Sequence, residues 1–222
     1  MRHRLFILAT ALLFSSCAEK GDIDAADLLA CGVFDPEKQI CDKRDGNLYK
    51  FVKIDAQVWL AENLKYNSPS SVCYEYDPEN CEIYGRLYLW DKEGNKKLCP
   101  EGWHIPSDKE WESLEKLTKS DKYLKADTGW YSYTKDNTTY SGNGNDIYGF
   151  SALPAGISKY EEDDCDNHKN NGALELAQWN GLGSATAFMP SVLSYKMVLL
   201  SDTTLTPCIA ENSLVSVRCV KD

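Results

Sequence analysis

Histidine is scarce in this chain: of 222 residues only His3, His104 and His168 carry imidazole. The motifs that usually place such groups for catalysis are missing too. There is no G-x-S-x-G elbow for a serine nucleophile, no H-E-x-x-H for a catalytic zinc and no glycine-rich phosphate loop. The 9 cysteines contain no C-x-x-C pair, the spacing a structural zinc site wants. Positive charge is in deficit, with 24 Lys and Arg against 34 Asp and Glu, a net charge of −10. Such a surface repels nucleic acid and anionic headgroups. Beyond the first residues no apolar run is long enough for a membrane span. Internal repeats and low-complexity tracts are absent, which excludes a solenoid.

What is present begins at the first residues. Arg2 and Arg4 precede an apolar stretch from Leu5 to Phe14, and the small residues Ser15 and Ser16 lead to Cys17. That order is a charged n-region, an h-region of about ten residues and a cleavage site. Phe14-Ser15-Ser16-Cys17 resembles the bacterial lipobox, with Phe14 where Leu is usual. The rival is an ordinary signal peptide cut nearby. On the lipobox reading residues 1–16 are removed and Cys17 carries lipid. Ala18 follows, where an Asp would mark inner-membrane retention, so the expected address is the outer membrane, on the cell surface or the periplasmic face. Loss of Arg2 and Arg4 makes the mature chain two charges more negative. Aromatics at 11% supply a packed core.

With Cys17 lipidated, eight cysteines remain: Cys31, Cys41, Cys73, Cys81, Cys99, Cys165, Cys208 and Cys219. An even set in an exported chain reads as a disulfide framework, whose connectivity spacing alone leaves open. Cys31 and Cys41 flank Asp35-Pro36, and Cys73 and Cys81 flank Asp77-Pro78; both inserts read as turns. Residues 17–45 read as a lipidated tether, with a weak helix at the end of 18–30, followed by a small cystine loop. The main domain, 46–222, opens at the Asp45-Gly46 turn.

Within it, the alternating stretch around Tyr49 to Ile54 and the run Val58-Trp59-Leu60 predict a hairpin turning at Asp55-Ala56. Tyr84 to Trp90 is a further strand candidate. Ser107 and Glu110 form an S-x-x-E capping box that predicts a helix to about Ser120, with Trp111, Leu114 and Leu117 on its apolar face. A short helical piece follows at 121–126. Strands are expected at 148–157, 172–179, 185–189, 195–201 and 213–220. Trp59, Trp90, Trp103 and Trp111 are expected in the core. Long loops are expected at 127–146 and 158–171, where function tends to sit. The fold class is α+β.

Five separated segments look familiar in this order. The first runs from Asp45-Gly46-Asn47-Leu48-Tyr49-Lys50 to Gln57-Val58-Trp59-Leu60-Ala61-Glu62-Asn63-Leu64. Tyr84-Gly85-Arg86-Leu87-Tyr88 is next. The strongest is Cys99-Pro100-Glu101-Gly102-Trp103-His104-Ile105-Pro106-Ser107-Asp108-Lys109-Glu110-Trp111. Gly149-Phe150-Ser151-Ala152-Leu153-Pro154-Ala155-Gly156 and Ser216-Val217-Arg218-Cys219-Val220-Lys221-Asp222 complete the set. Together they resemble the Fibrobacter succinogenes major paralogous domain, from about Asp45 to Asp222. That family is similar to C-type lectin-like folds and their formylglycine-generating-enzyme relatives. The resemblance implies one main helix plus a short one around twisted antiparallel sheets, with the chain ends meeting in one sheet. It implies bridges from Cys99 to Cys219 and from Cys73 to Cys81, leaving Cys31 with Cys41 and Cys165 with Cys208. Where members often carry a Trp-Ser-Ser-Thr-like stretch, Trp179 is followed here by Asn180-Gly181.

Candidate sites are weighed against plainer roles. His104, beside the helix start, reads as a half-buried structural residue, and His168 as a solvated one among Asp163, Asp164 and Asp166. Ser141 to Tyr148 comes close to a calcium nonapeptide but occurs once, and reads as a Gly/Asn turn. Glu161, Glu162, Asp163, Asp164 and Asp166 form a denser set of hard oxygens, for which calcium is the candidate cation; the plainer reading is a solvated loop and no cofactor. Trp130, Tyr131, Tyr133, Tyr140 and Tyr160 are the candidate ligand-binding aromatics, because exposed rings stack on sugars or partner proteins. The alternative is that Trp130 caps the core. No carboxylate pair stands out for glycoside hydrolysis. A formylglycine-generating enzyme needs free cysteines, and eight paired ones leave none. The expectation is a non-enzymatic, lipid-anchored module that binds extracellular polysaccharide or a protein partner, with polysaccharide the first choice. An envelope structural or protein-interaction module without a small ligand is the second, and an enzyme the third.

Overall fold

The computed structural model describes residues 23–89, 97–130, 132–135, 137–155, 187–190, 196–200, 205–209 and 214–222. The chain enters through a short helix, α1 (Ala25–Cys31), capped by the Asp24 carboxylate, which accepts from the Asp27 N–H. A turn in which Asp35 accepts from the Lys38 and Gln39 N–H groups leads to β1 (Gln39–Asp42). β1 pairs antiparallel with β2 (Asn47–Ile54), so the segment bounded by Cys31 and Cys41 contributes an edge strand to the main sheet.

The expected hairpin is formed by β2 and β3 (Gln57–Leu60). Asp55, at φ 54°, takes the left-handed conformation that a two-residue hairpin loop demands. Cross-strand pairs alternate between faces: Phe51 with Leu60, then Val52 with Trp59. Tyr49, Leu60, Tyr88, Val217 and Cys219 form a core on one face of this sheet. Ile54, Trp59, Trp111, Phe150 and Val220 form a second on the other. Two strands complete the sheet: β6 (Trp103–His104) and β13 (Val220–Lys221), in the order β1-β2-β3-β13-β6, all antiparallel. The end of the domain thus sits between its beginning and its middle.

Between β3 and β6 lie β4 (Ser71–Val72), α2 (Pro78–Tyr84) and β5 (Leu87–Leu89). The strand expected from Tyr84 to Trp90 is therefore shorter, its start taken by the helix end; Trp90 lies outside the described residues. Asp77-Pro78 is not a plain turn. Asp77 is an N-cap, accepting from the Glu79 N–H, and Pro78 is the first helical residue, where its missing N–H is harmless. β4 and β5 join β12 (Leu214–Ser216) in a smaller sheet.

The main helix, α3 (Asp108–Thr118), starts as expected, with both hydrogen bonds of the capping box made. Its buried stripe is Trp111, Leu114 and Thr118, while Leu117 is 40% exposed. At about 100° per residue Leu117 falls roughly 120° away from Trp111, and Thr118 returns to the stripe. A single 3₁₀ turn, Asp121–Tyr123, replaces the expected helical piece at 121–126. Trp59, Trp111 and Phe150 form a ring cluster with centroids 4.7 to 6.2 Å apart, where tilted and edge contacts are favourable.

The loop expected at 127–146 contains a hairpin, β7 (Tyr133–Lys135) with β8 (Thr138–Tyr140). Over the described residues 148–155 the expected strand is not formed; there is one parallel bridge, Lys125 to Ala152. β9 (Ala187–Pro190), β10 (Lys196–Leu200) and β11 (Leu205–Ile209) make a three-stranded antiparallel meander. The strand expected at 213–220 is split into β12 and β13, because residues 217–219 leave the ladder. Residues 172–179 lie outside the described set. Three disulfides are formed among the described residues: Cys31–Cys41, Cys73–Cys81 and Cys99–Cys219.

Candidate functional site

The β7–β8 hairpin follows Trp130 of the second core in the chain. Its register sets Tyr133 directly opposite Tyr140 and Thr134 opposite Thr139, so the two tyrosine positions share one face. Asn137, at φ 59°, makes the tight turn. Tyr140 is 44% exposed, and Thr138 and Thr139 are exposed beside it. The hairpin therefore presents a hydroxyl-edged aromatic position to solvent, the surface type that stacks on a sugar ring and bonds its hydroxyls.

The Ser141-to-Tyr148 segment latches the base of the hairpin. The Asn143 side-chain oxygen accepts from the Trp130 N–H at 2.9 Å. Asp146 accepts from the Ser151 N–H at 2.7 Å and from its hydroxyl at 2.5 Å. The Gly144 N–H donates to Ala126, and the Asn145 N–H to Lys122. A Cβ on Gly144 would collide with the carbonyl oxygens of Lys122 and Lys125, so only glycine fits. Gly144→Ala is expected to lower stability by about 1–3 kcal/mol through this overpacking. A urea melt of the variant checks it; an unchanged midpoint would show that the latch is not closed in solution.

Trp130 takes the core-capping position, the plainer of its two expected roles. It is 5% exposed, packs in the second core and donates its indole N–H to the Ala152 carbonyl at 3.0 Å. The Lys125 ammonium lies 4.1 Å from its ring centre, itself buried. Trp130 thus belongs to the core that precedes β7 in the chain. Tyr131 and Tyr160 lie outside the described residues, as do Cys17, Cys165, His168, Glu161, Glu162, Asp163, Asp164 and Asp166. The Cys208 backbone belongs to β11. Among the described residues no group of three His, Cys, Asp or Glu is arranged to hold a metal ion.

A second polar cluster surrounds His104. Its Nδ1 lies 2.6 Å from Asp222 and its Nε2 2.9 Å from Glu110. Glu110 also accepts from the Ser107 N–H and hydroxyl. Burial disfavours the imidazolium, but hydrogen bonds to the two carboxylates outweigh it and hold the His104 pKa above the usual value. Burial likewise works against the Glu110 carboxylate, and its bonds to Ser107 and His104 outweigh that, lowering its pKa. The cluster is a clasp joining the helix start to Asp222, just past the last strand. The sign of its pH dependence follows. The His104 contribution is full below about pH 6.5 and is lost as pH rises through the raised value. The Glu110 contribution is full above its ordinary value and is lost as pH falls through the lowered one. The stability gap between the wild type and His104→Gln is expected to be widest near pH 5–6.5 and to narrow on the alkaline side. Thermal melts from pH 4 to 9 check this, and a gap independent of pH would refute it.

Two arginines escaped the sequence reading. Arg218 is wholly buried, where its Nη2 donates to Asn63 Oδ1 at 2.8 Å and its Nη1 to the Phe150 carbonyl. Its guanidinium stacks 4.4 Å from the Phe150 ring centre. Burial pushes its pKa down to about 9, which leaves it charged at neutral pH. Arg86 donates to both oxygens of Ser71 and points Nη1 at the sulfurs of Cys73 and Cys81, at 3.6 and 3.3 Å. A signal existed for Arg218: one cation inside Val217-Arg218-Cys219-Val220, a stretch otherwise patterned for burial.

The fold and its clasps define an α+β, disulfide-braced domain closed by pairing of its last strand with its early ones. The model of the Fibrobacter succinogenes major domain matches residues 52–221, and the chain belongs to that family. No curated protein and no solved structure matches it.

Proposed function

We propose that this chain is an exported, lipid-anchored, non-enzymatic binding module with a C-type lectin-like arrangement, and that its first ligand class is extracellular polysaccharide. The observation that carries the ligand reading is the β7–β8 hairpin, with Tyr133 and Tyr140 in register and Tyr140 at the surface. The three disulfides suit an oxidising compartment, and the meeting of early and late strands supports the lectin-like arrangement. The anchor rests on Phe14-Ser15-Ser16-Cys17, and the outer membrane is its expected destination. The three disulfides, and a His104 already engaged by two carboxylates, favour a binding role over a thiol or general-base enzyme.

The test is retention on insoluble cellulose and other plant glycans, comparing the wild type with Tyr140→Ala. One stacking contact is worth about 0.5–1.5 kcal/mol, so retention should weaken by roughly three- to tenfold. Thermal melts of both proteins check that the fold is intact under the assay conditions. Equal retention of the two proteins would remove the hairpin from the site. Failure to be retained on any glycan would favour the protein-interaction reading.

A further inference from the structure

Residues Ala25 to Val33 are unusual for a surface segment. Apart from Asp27 every residue is apolar, a glycine or a cysteine. No residue of α1 is buried: Leu29 is 90% exposed, Val33 85% and Leu28 49%, and Ala25, Ala26 and Ala30 are exposed around them. The other exposed large apolar residues, such as Tyr76, Ile83, Leu117 and Ile147, stand apart from one another along the chain. Contiguous apolar surface of this kind marks a contact site.

The segment is also rigidly attached. Cys31 is bridged to Cys41 of β1, Lys43 pairs with Asp24 and Asp27 at 3.2 and 3.0 Å, and Gly46 lies directly against the Ala30 carbonyl. That pairing offsets the two acids nearest the patch, so the local charge is lower than the chain's average. The position of the patch says what covers it. Leu28 lies eleven residues after Cys17, within at most about 40 Å of extended chain. A lipid on Cys17 holds the patch beside a bilayer and at high effective concentration against it.

We infer that Leu28, Leu29 and Val33 form a membrane-seating patch that inserts at the boundary between headgroups and acyl chains. This rests on the lipid-anchor reading. The patch makes the attachment an oriented one, with the β1 end of the main sheet toward the bilayer. An acyl anchor combined with a second contact is the usual requirement for a fixed pose on a membrane.

The test uses the full chain expressed with its leader and reconstituted into phosphatidylethanolamine–phosphatidylcholine vesicles, whose net charge is zero. The mass of the Cys17 peptide reports acylation, and hydrogen–deuterium exchange reports residues 24–34. Acylated Cys17 with exchange slowed at least fivefold at 28–34, relative to unlipidated Cys17→Ser in solution, is the expected result. The lipidated double variant Leu29→Asp, Val33→Asp should exchange at the solution rate while keeping its thermal melt. Acylated Cys17 with no slowing overturns the patch alone. Unmodified Cys17 overturns the anchor and the patch with it. Concentration-dependent slowing in the unlipidated protein assigns the face to a second copy of the chain and overturns the membrane seat.

Discussion

Replacing Cys99 and Cys219 together by alanine is expected to lower the stability of the domain by about 4–5 kcal/mol, the largest effect of any change here. The bridge closes a loop of sequence separation 120, with Cα atoms 5.9 Å apart. In the chain-entropy account the cost of cutting it grows with the logarithm of loop length. Both sulfurs are buried in the first core, at 7% and 0% exposure, so lost packing adds to lost restraint. The bridge also ties the segment before β6 to the strand beside it, and those strands share few backbone bonds. Two residues of β13 pair with two of β6. The matching change at Cys73 and Cys81, whose separation is 8, should cost about 2–3 kcal/mol by the same reasoning. Calorimetry of the two variants provides the comparison. Equal losses would refute the loop-length argument, and a stable Cys99/Cys219 variant would show that the sheet closes without its staple.

Arg218→Met is expected to cost about 2–5 kcal/mol, although methionine fills much of the same space. Where a buried ion pair is replaced whole by apolar residues, the change can be neutral. Arg218 is different, because its partners are a carbonyl of Phe150, a carbonyl of Ser151 and the Asn63 amide oxygen. Removing the guanidinium leaves those acceptors buried and unpaired. Asn63 is itself tied to α2 through a bond from its amide to the Tyr84 carbonyl at 2.9 Å. The loss therefore spreads to the α2 junction. Adding Asn63→Leu to the Met variant should recover none of the loss, because the leucine removes one orphaned acceptor but also the donor to the Tyr84 carbonyl. Urea unfolding of the three variants forms the cycle. A neutral Arg218→Met would show that water enters and satisfies the site.

Much of the local structure could be read from the chain. The β2–β3 hairpin and the capped start of α3 are governed by turn and cap chemistry within a few residues, as is the Asp45-Gly46 turn. The errors lie where two local signals compete or where a distant contact decides. Asp77-Pro78 serves both a turn and a helix start, and the Cys73–Cys81 loop selects the helix. Residues 148–155 have strand composition, yet Phe150 is drawn into the aromatic cluster and Ser151 to Asp146, which prevents a ladder. Trp130 sits in a loop by sequence, and its burial depends on Ala152 and Asn143, both more than ten residues away.

Of the candidate site, the aromatic content of the 127–146 segment was legible, but the pairing of Tyr133 with Tyr140 was not. Register depends on which backbone groups meet, and composition does not carry that. The sequence by itself determined the acidic balance, the capped helix and the family, because each is encoded in composition, in adjacent residues or in their order. Only the tertiary structure decided that the last strand lies between β3 and β6, that Arg218 is enclosed, that His104 is held between two carboxylates, and that Tyr140 and Leu29 face outward while Trp130 does not. Those outcomes depend on contacts across up to 155 positions, where burial and hydrogen-bond satisfaction act only after the chain has closed.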